Sequence, residues 1–328
     1  MDQMVVAPLW YGAYKKGPEV GALRLAELFE KEGLVAQALI SVSDENPGED
    51  HLMPFFNAID KVNSNICDAV YSALSSGNKV ITVGGDHAIS WGSISGVLKH
   101  NPKVGIIYLD AHGDCNISER SASHHIHGMH MAYLMGFGED KYVGRYTKNI
   151  LPVENILYVG ARSLDPYEVG LINEQDISRI TCGVINSDMV RTLNTINDFV
   201  SRFKQIHISL DIDVLDPSIA PGTGVPEVGG ITEDALHEIL NFILRKNNQV
   251  KSLDLVEYNP ILDTNTLMMS FVAMAIVFSY DFVKEKHLKI HLLSSRFMVM
   301  RYATAVLMIA YILAFGVLNG GSFIYFQF

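Results

Sequence analysis

Short apolar runs recur along the chain at residues 4–9, 79–83, 104–109, 156–159, 205–210 and 250–256. They are rich in Val and Ile and as a set lack a strict apolar/polar alternation, as expected of strands buried on both faces of a parallel sheet. Between them lie segments whose apolar residues fall at helical spacing. After the Gly17-Pro18 turn, Leu23, Leu25, Leu28 and Phe29 are expected on one side of a helix that stops at Gly33. Strands and helices in alternation predict an α/β fold around a parallel central sheet. No repeat or low-complexity linker interrupts residues 1–286, so they are expected to form one domain. Composition changes only in the tail, 287–328.

Three of the runs end in acids and histidines. Residues 84–87 read GGDH, 110–114 read DAHGD and 211–216 read DIDVLD. In open parallel sheets ligands bind outside the carboxyl ends of the strands, so these segments should meet in one crevice. His87, Asp110, His112, Asp114, Asp211 and Asp213 then become neighbours. A single Asp after a strand is more often the N-cap of the next helix than a ligand. Three such endings together reverse that reading, because so many carboxylates cannot stay ionised side by side without cations. Oxygen and imidazole donors argue for Mn, with Fe, Co, Ni or Zn open, and they suffice for two ions sharing bridging carboxylates.

Composition removes other classes. The chain has 328 residues, 48% of them apolar, enough for a sizeable core. A net charge of −11 without a basic stripe excludes nucleic acid as an expected partner. Cys67, Cys115 and Cys182 form no CxxC and suggest neither a disulfide framework nor a thiolate zinc site, which fits a reducing compartment. The first residues lack a signal-peptide or transit pattern, so a cytoplasmic location is expected. The tail departs from all this. Residues 302–328 carry no charge and follow Lys284, Lys286, Lys289, Arg296 and Arg301. The stretch 302–318 is near the lower length limit for a membrane span, with its basic flank on the cytoplasmic side. A tail anchor, a helix packed in an oligomer and the product of an altered reading frame are the three readings.

The motifs GGDHAISWGSISG, DAHGDCN with HHIHGM, and SLDIDVLDPSIAPGTGVPEVGG resemble the three signatures of the ureohydrolases, the family of arginase, agmatinase and formiminoglutamase, and the resemblance spans residues 5–280. It implies a three-layer α/β/α fold and a hydrolase with two Mn2+ ions per subunit. Carried over by position, one ion is held by His87, Asp110, Asp114 and Asp211, and the other by Asp110, His112, Asp211 and Asp213. Asp110 and Asp211 bridge.

The chemistry has its own logic. A guanidinium carbon is a poor electrophile, and bound ions supply hydroxide at neutral pH. Asp114 is suited to take a proton from that nucleophile and pass it to the leaving amine. A second carboxylate must meet the planar cation bidentately, and Glu257 in SLDLVEYNP offers it; the resemblance assigns it the same role. His127 matches the arginase histidine that shuttles protons.

Within the family the arginase pattern fits best. Asn116 and Ser123 match the residues that receive the α-carboxylate, and Asp165 and Glu168 match those that hold the α-ammonium, directly or through water. His125 faces the substrate where arginases often have Asn. The expected reaction is cleavage of L-arginine to L-ornithine and urea by a homotrimer or homohexamer. An agmatinase or another guanidino or formimino hydrolase is the alternative, and a non-catalytic scaffold the reading from another class. Ala88 stands for a usual Ser, Ser163 for an Asp, and Val225 interrupts PGTGTP.

Overall fold

The computed structural model describes residues 3–263, apart from 32, 35, 42–45, 49 and 246–248. The tail readings for 287–328 lie outside the described residues. Eight strands form one sheet: β1 (Gln3–Ala7), β2 (Ala36–Leu39), β3 (Val80–Gly84), β4 (Gly105–Leu109), β5 (Ile156–Val159), β6 (Ser178–Ile180), β7 (Ile206–Asp211) and β8 (Val250–Val256). Their order is β2-β1-β3-β8-β7-β4-β5-β6, and every pair is parallel.

Successive side chains of a strand point to opposite faces, and here both faces are core. Met4, Val6, Ile81, Val83, Ile107 and Leu109 belong to one apolar cluster with helices α1 (Pro18–Lys31), α6 (Cys182–Ser187), α7 (Met189–Val200) and α8 (Glu233–Leu244). Val5, Ala7, Val80, Ile106 and Tyr108 belong to the other, with α2 (Phe56–Ser75), α3 (Ser90–His100), α4 (His130–Leu134) and α5 (Pro166–Glu174). The result is a three-layer α/β/α fold with both sheet faces buried; β7 alternates in sequence, but its polar side chains are buried too, with His207 Nδ1 2.8 Å from Ser252 Oγ.

The six apolar runs correspond to β1, β3, β4, β5, β7 and β8, with ends displaced by one or two residues in some. Edge strands β2 and β6 were not expected. They are three or four residues long and part-exposed, too short and mixed to stand out from loop. The helix after Gly17 also needs correction. Leu23 is 43% exposed, while α1 buries Gly21, Ala22, Leu25, Ala26 and Phe29. Leu23 and Leu25 are two positions apart, about 200° around a helix, so they cannot share a face.

The central strands end level with one another. Leu109 pairs with Leu210, Leu210 with Leu255, and Leu255 with Val83. Residues 84–87, 110–114, 211–213 and 257 therefore emerge side by side. Gly85 allows this approach, since a Cβ there would meet the Leu9 carbonyl. Among the described residues no helix is long and apolar enough to cross a membrane.

Candidate metal centre and substrate cleft

His87 opens a 3₁₀ turn (His87–Ile89) that Asp86 caps, its carboxylate accepting from the amides of Ala88 (3.0 Å) and Gly12 (2.8 Å). The acid of GGDH is thus a cap, and the histidine is presented inward, 1% exposed. Its Nδ1 lies 2.9 Å from Asp110 Oδ2, 3.0 Å from Asp114 Oδ2 and 3.1 Å from Asp211 Oδ2. Beside this group, His112 Nδ1 lies 2.9 Å from Asp213 Oδ2 and 3.4 Å from Asp110 Oδ1. Asp110 belongs to both groups, and each has donor atoms close enough to share one ion. Donor edges near 3 Å are what ligand atoms about 2.1 Å from a single cation present to one another.

The loops hold these carboxylates by their own backbone. The His112 amide donates to Asp110 Oδ1 (2.6 Å), the Asp213 amide to Asp211 Oδ1 (2.8 Å) and the Ala111 amide to Asp213 Oδ1 (2.9 Å). One oxygen of each acid is fixed and the other is left for the cluster. His87 Nε2 sits 2.8 Å from Ser209 Oγ, an arrangement that directs Nδ1 at the carboxylates.

The electrostatics ask for cations. Burial, then repulsion from Asp213 and Asp114, raises the Asp110 carboxyl to about 6. Burial and the same kind of repulsion push Asp211 well above the carboxylate range. Burial opposes the charged form of His112, but Asp213 and Asp110 outweigh it and raise its pKa. Asp110 Oδ2 is buried and makes no well-aligned hydrogen bond, its near neighbour being His87 Nδ1 at 2.9 Å. Burial also opposes the charged form of His87, but Asp110, Asp114 and Asp211 outweigh it and raise its pKa; an oxygen-rich donor set packed this tightly with two imidazoles fits a pair of divalent ions.

A cleft of about 390 Å³ opens over this cluster. It is lined by His112, Asp114, Asp211 and Asp213 of the cluster, by Glu257 and His127, and by Asn116, Ser123, His125, Asp165 and Glu168. Every site residue expected from the sequence except the deeply buried His87 and Asp110 lines it. Glu257 Oε1 accepts from the His87 amide (2.9 Å) and lies 2.9 Å from His127 Nδ1. Its Oε2 is buried with no hydrogen-bond partner. Burial opposes protonation of His127, yet the Glu257 contact prevails and lifts it to about 9. Burial lowers His125 to about 4, leaving it neutral beside the Tyr14 ring, 4.6 Å between centroids.

Asp165 and Glu168 are a helix cap as well as cleft residues. Glu168 accepts from the Asp165 amide (2.8 Å) and the Cys115 amide (3.0 Å) in a capping box at the start of α5, and burial raises it to about 7. Both of its oxygens are therefore occupied. Asn116 Nδ2 donates to Asp165 Oδ2 (2.7 Å), so the residues expected to read the two ends of an amino-acid head hold each other. Ser123 Oγ accepts from the His125 amide (3.2 Å) at the mouth.

Several contributors had no signal in the sequence. Arg162 donates to the carbonyls of Asp213 (2.9 Å), Glu227 (2.7 Å), Leu215, Val214, Gly160 and Val228. It ties the metal loop to the cleft rim through acceptors that carry no side-chain signature. Tyr108 and His130, both fully buried, reach the cluster from below. Asp114 and Glu257 have φ of 47° and 65°, a left-handed backbone that costs a non-glycine residue about 1–3 kcal/mol and gathers at functional sites. Of the departures from the ureohydrolase pattern, Ala88 is buried core, while Ser163 and Val225 line the cleft.

The comparisons agree with this geometry. The arginase family model matches residues 8–281. Over 288 residues the chain is 33% identical to an arginase of Bacillus caldovelox, covering 84% of this chain and 95% of the relative. The solved structure of Bacillus caldovelox arginase matches with a TM-score of 0.76 at 32% identity, over 85% of this chain and 97% of that one. An Entamoeba histolytica arginase in complex with L-ornithine matches with a TM-score of 0.74 at 30% identity, over 84% and 97% of the respective chains. The chain belongs to the arginase family and is an arginase-type ureohydrolase.

Proposed function

We propose that the protein hydrolyses L-arginine to L-ornithine and urea, with two Mn2+ ions held by His87, Asp110, Asp114, Asp211, His112 and Asp213. The observation that carries this reading is one cleft that joins the acid-histidine cluster to a buried Glu257 carboxylate oxygen without a hydrogen-bond partner and to the polar side chains of Asn116, Ser123, His125 and Asp165. A guanidinium suits the Glu257 carboxylate, and a charged amino-acid end would have Asn116, Ser123, His125 and Asp165 within the same cleft.

Bound divalent cations supply a hydroxide-like nucleophile at neutral pH by acidifying water. Glu257 Oε2 orients the guanidinium so that its carbon faces the acid-histidine cluster. Asn116, Ser123 and the neutral His125 meet the α-carboxylate, and Asp165 meets the α-ammonium, with Glu168 bracing Asp165. As the C–O bond forms, Asp114 takes the proton of the attacking water, and it returns that proton to the δ-nitrogen as the C–N bond breaks. His127, 15% exposed and 2.9 Å from Glu257 Oε1, exchanges a proton with solvent to leave ornithine as its ammonium.

The test is kcat/KM of the Mn-loaded protein for L-arginine, agmatine, 4-guanidinobutyrate and N-formimidoyl-L-glutamate. L-arginine should exceed agmatine by about tenfold or more, since agmatine lacks the carboxylate that Asn116, Ser123 and His125 would meet and a hydrogen bond to a charged group is worth about 1.5–3 kcal/mol. Equal values, or a preference for agmatine or the formimino substrate, refute the arginine reading and keep the family.

A further inference from the structure

Tyr108 is the fourth residue of β4 and completely buried. Phe would fill the same volume there, and burying a phenol hydroxyl is unfavourable unless the hydroxyl is bonded. Among the described residues the Tyr108 hydroxyl meets Asp114, His130 and His87. It donates to Asp114 Oδ2 at 2.6 Å, within the range of a charge-assisted O–H···O contact. It also lies 3.1 Å from His130 Nε2 and 3.2 Å from His87 Nδ1. The Tyr108 ring stacks on the His87 ring, with centroids 4.9 Å apart and planes 4° apart.

His130 is fixed in turn. Its Nδ1 lies 2.8 Å from the carbonyl of His127. A carbonyl only accepts, so Nδ1 carries the proton, and the neutral ring presents an Nε2 lone pair to the Tyr108 hydroxyl. One hydroxyl proton thus faces a carboxylate oxygen and an imidazole lone pair, and the hydroxyl cannot rotate away from both. His87, Asp114 and His130 have spacing that would hold a cation, but the Tyr108 oxygen stands within 3.2 Å of all three donors. The hydroxyl takes the place that a third ion would need.

We propose that Tyr108, braced by His130, is a positioning residue that fixes the Asp114 carboxylate and the His87 ring at the metal centre. For the proton transfer, this rests on the reading in which Asp114 carries the proton of the arginase reaction. It also links the two ends of that chemistry, because the brace hangs from the backbone of His127. Asp114 Oδ2 is 3.0 Å from His87 Nδ1, so without the hydroxyl that oxygen keeps a single neighbour and the carboxylate is free to turn.

The experiment is a double-mutant cycle on the full chain with Tyr108→Phe and His130→Phe. Mn2+ stoichiometry and affinity are measured by calorimetry with manganese chloride, and kcat and KM with L-arginine. Tyr108→Phe should still bind two ions, about 10–100-fold more weakly, as outer partners of metal ligands do. At saturating Mn2+ its kcat should fall by about tenfold or more while KM stays within about twofold. His130→Phe should shift both readouts in the same direction. The double variant should be no worse than Tyr108→Phe alone, because His130 acts through Tyr108. Wild-type affinity and kcat in Tyr108→Phe overturn the proposal, as do single losses that multiply in the double variant. If Tyr108→Phe precipitates, His130→Phe decides alone, and unchanged affinity and kcat overturn it. Affinity is read without substrate, so a wild-type chain that fails on L-arginine refutes the proposed function and leaves this test standing.

Discussion

Replacing Asp110 with Asn should move the stability of the protein in opposite directions with and without metal. Asp110 is the carboxylate common to both donor groups, 2.9 Å from His87 Nδ1 and 3.4 Å from His112 Nδ1. Asn keeps the shape and can still accept from the His112 amide, but it removes one charge from both ion positions. Outer partners of metal ligands alone are worth about 10–100-fold in affinity, so a shared direct ligand should be worth at least about 100-fold. At a Mn2+ concentration 100 times the wild-type Kd, binding stabilises the wild type by about 2.7 kcal/mol. The variant, at a concentration equal to its Kd, gains only about 0.4 kcal/mol. With an unfolding entropy of about 2.1 cal/mol/K per residue these are Tm shifts of about 4–5 °C and under about 1 °C.

Without metal the sign reverses. Burial holds Asp110 near 6 in the folded chain, against about 3.9 unfolded. The folded state therefore retains a proton that the unfolded state has lost. Stability falls as pH rises from about 4 to about 6, by up to about 3 kcal/mol. Asn never ionises, so the metal-free variant should match the wild type near pH 4 and exceed it at pH 7. Calorimetric melting at both pH values, with chelator and with Mn2+, reads all four quantities. A variant with wild-type Mn2+ affinity, or one destabilised equally at both pH values without metal, would refute the reasoning.

Three further outcomes are expected. Glu257→Gln should bind two Mn2+ ions and lower kcat/KM for L-arginine by at least about 100-fold, since a buried guanidinium loses its charged partner; normal kinetics would remove Glu257 from the substrate. Arg162→Ala should lower unfolding stability in urea by about 2–4 kcal/mol by leaving several buried carbonyls unpaired, and Arg162→Lys should not restore it, because a point charge cannot span them. A chain ending at Lys286 should keep its activity, as every proposed site residue lies at or before Glu257 and the family match ends at 281; loss of activity would place part of the site in the tail.

The clustering of the acids and histidines was legible because they sit at the ends of central strands. Acids directly at the ends of β4 and β7 stand out against mainly apolar strands, and the level ends of parallel strands bring such acids together. Asn116 and Asp165 were legible as residue types but not as a mutual pair, since nothing in either segment predicts the 2.7 Å contact across 49 positions. Tyr108 was hidden by its own ring, which reads as one more apolar member of β4 until the hydroxyl is placed. Arg162 was hidden by its partners, which are carbonyls and leave no mark in a sequence. The short edge strands β2 and β6 lack the constraint that made the centre readable.

The left-handed backbone at Asp114 and Glu257 ties these strands of reasoning to the chemistry. Each acid stands just beyond a central strand, where a relaxed backbone would carry the chain on in an extended or helical course. A positive φ turns the chain sharply instead, and the usual choice for such a turn is Gly, which brings no side chain. Here an acid occupies the turn, so the strain is tolerated in order to deliver a carboxylate at a fixed angle. What holds each turn differs. Glu257 is held by the amides around it, donating its own to Gly85 and accepting from His87, groups that sequence reasoning already had at the site. Asp114 is gripped by the Tyr108 hydroxyl and by the Met131 amide, which donates to its carbonyl. The second of these comes from the segment that carries His127 and His130. The residue proposed to move the proton is therefore seated by the same short stretch of chain that carries the residue proposed to exchange it with solvent.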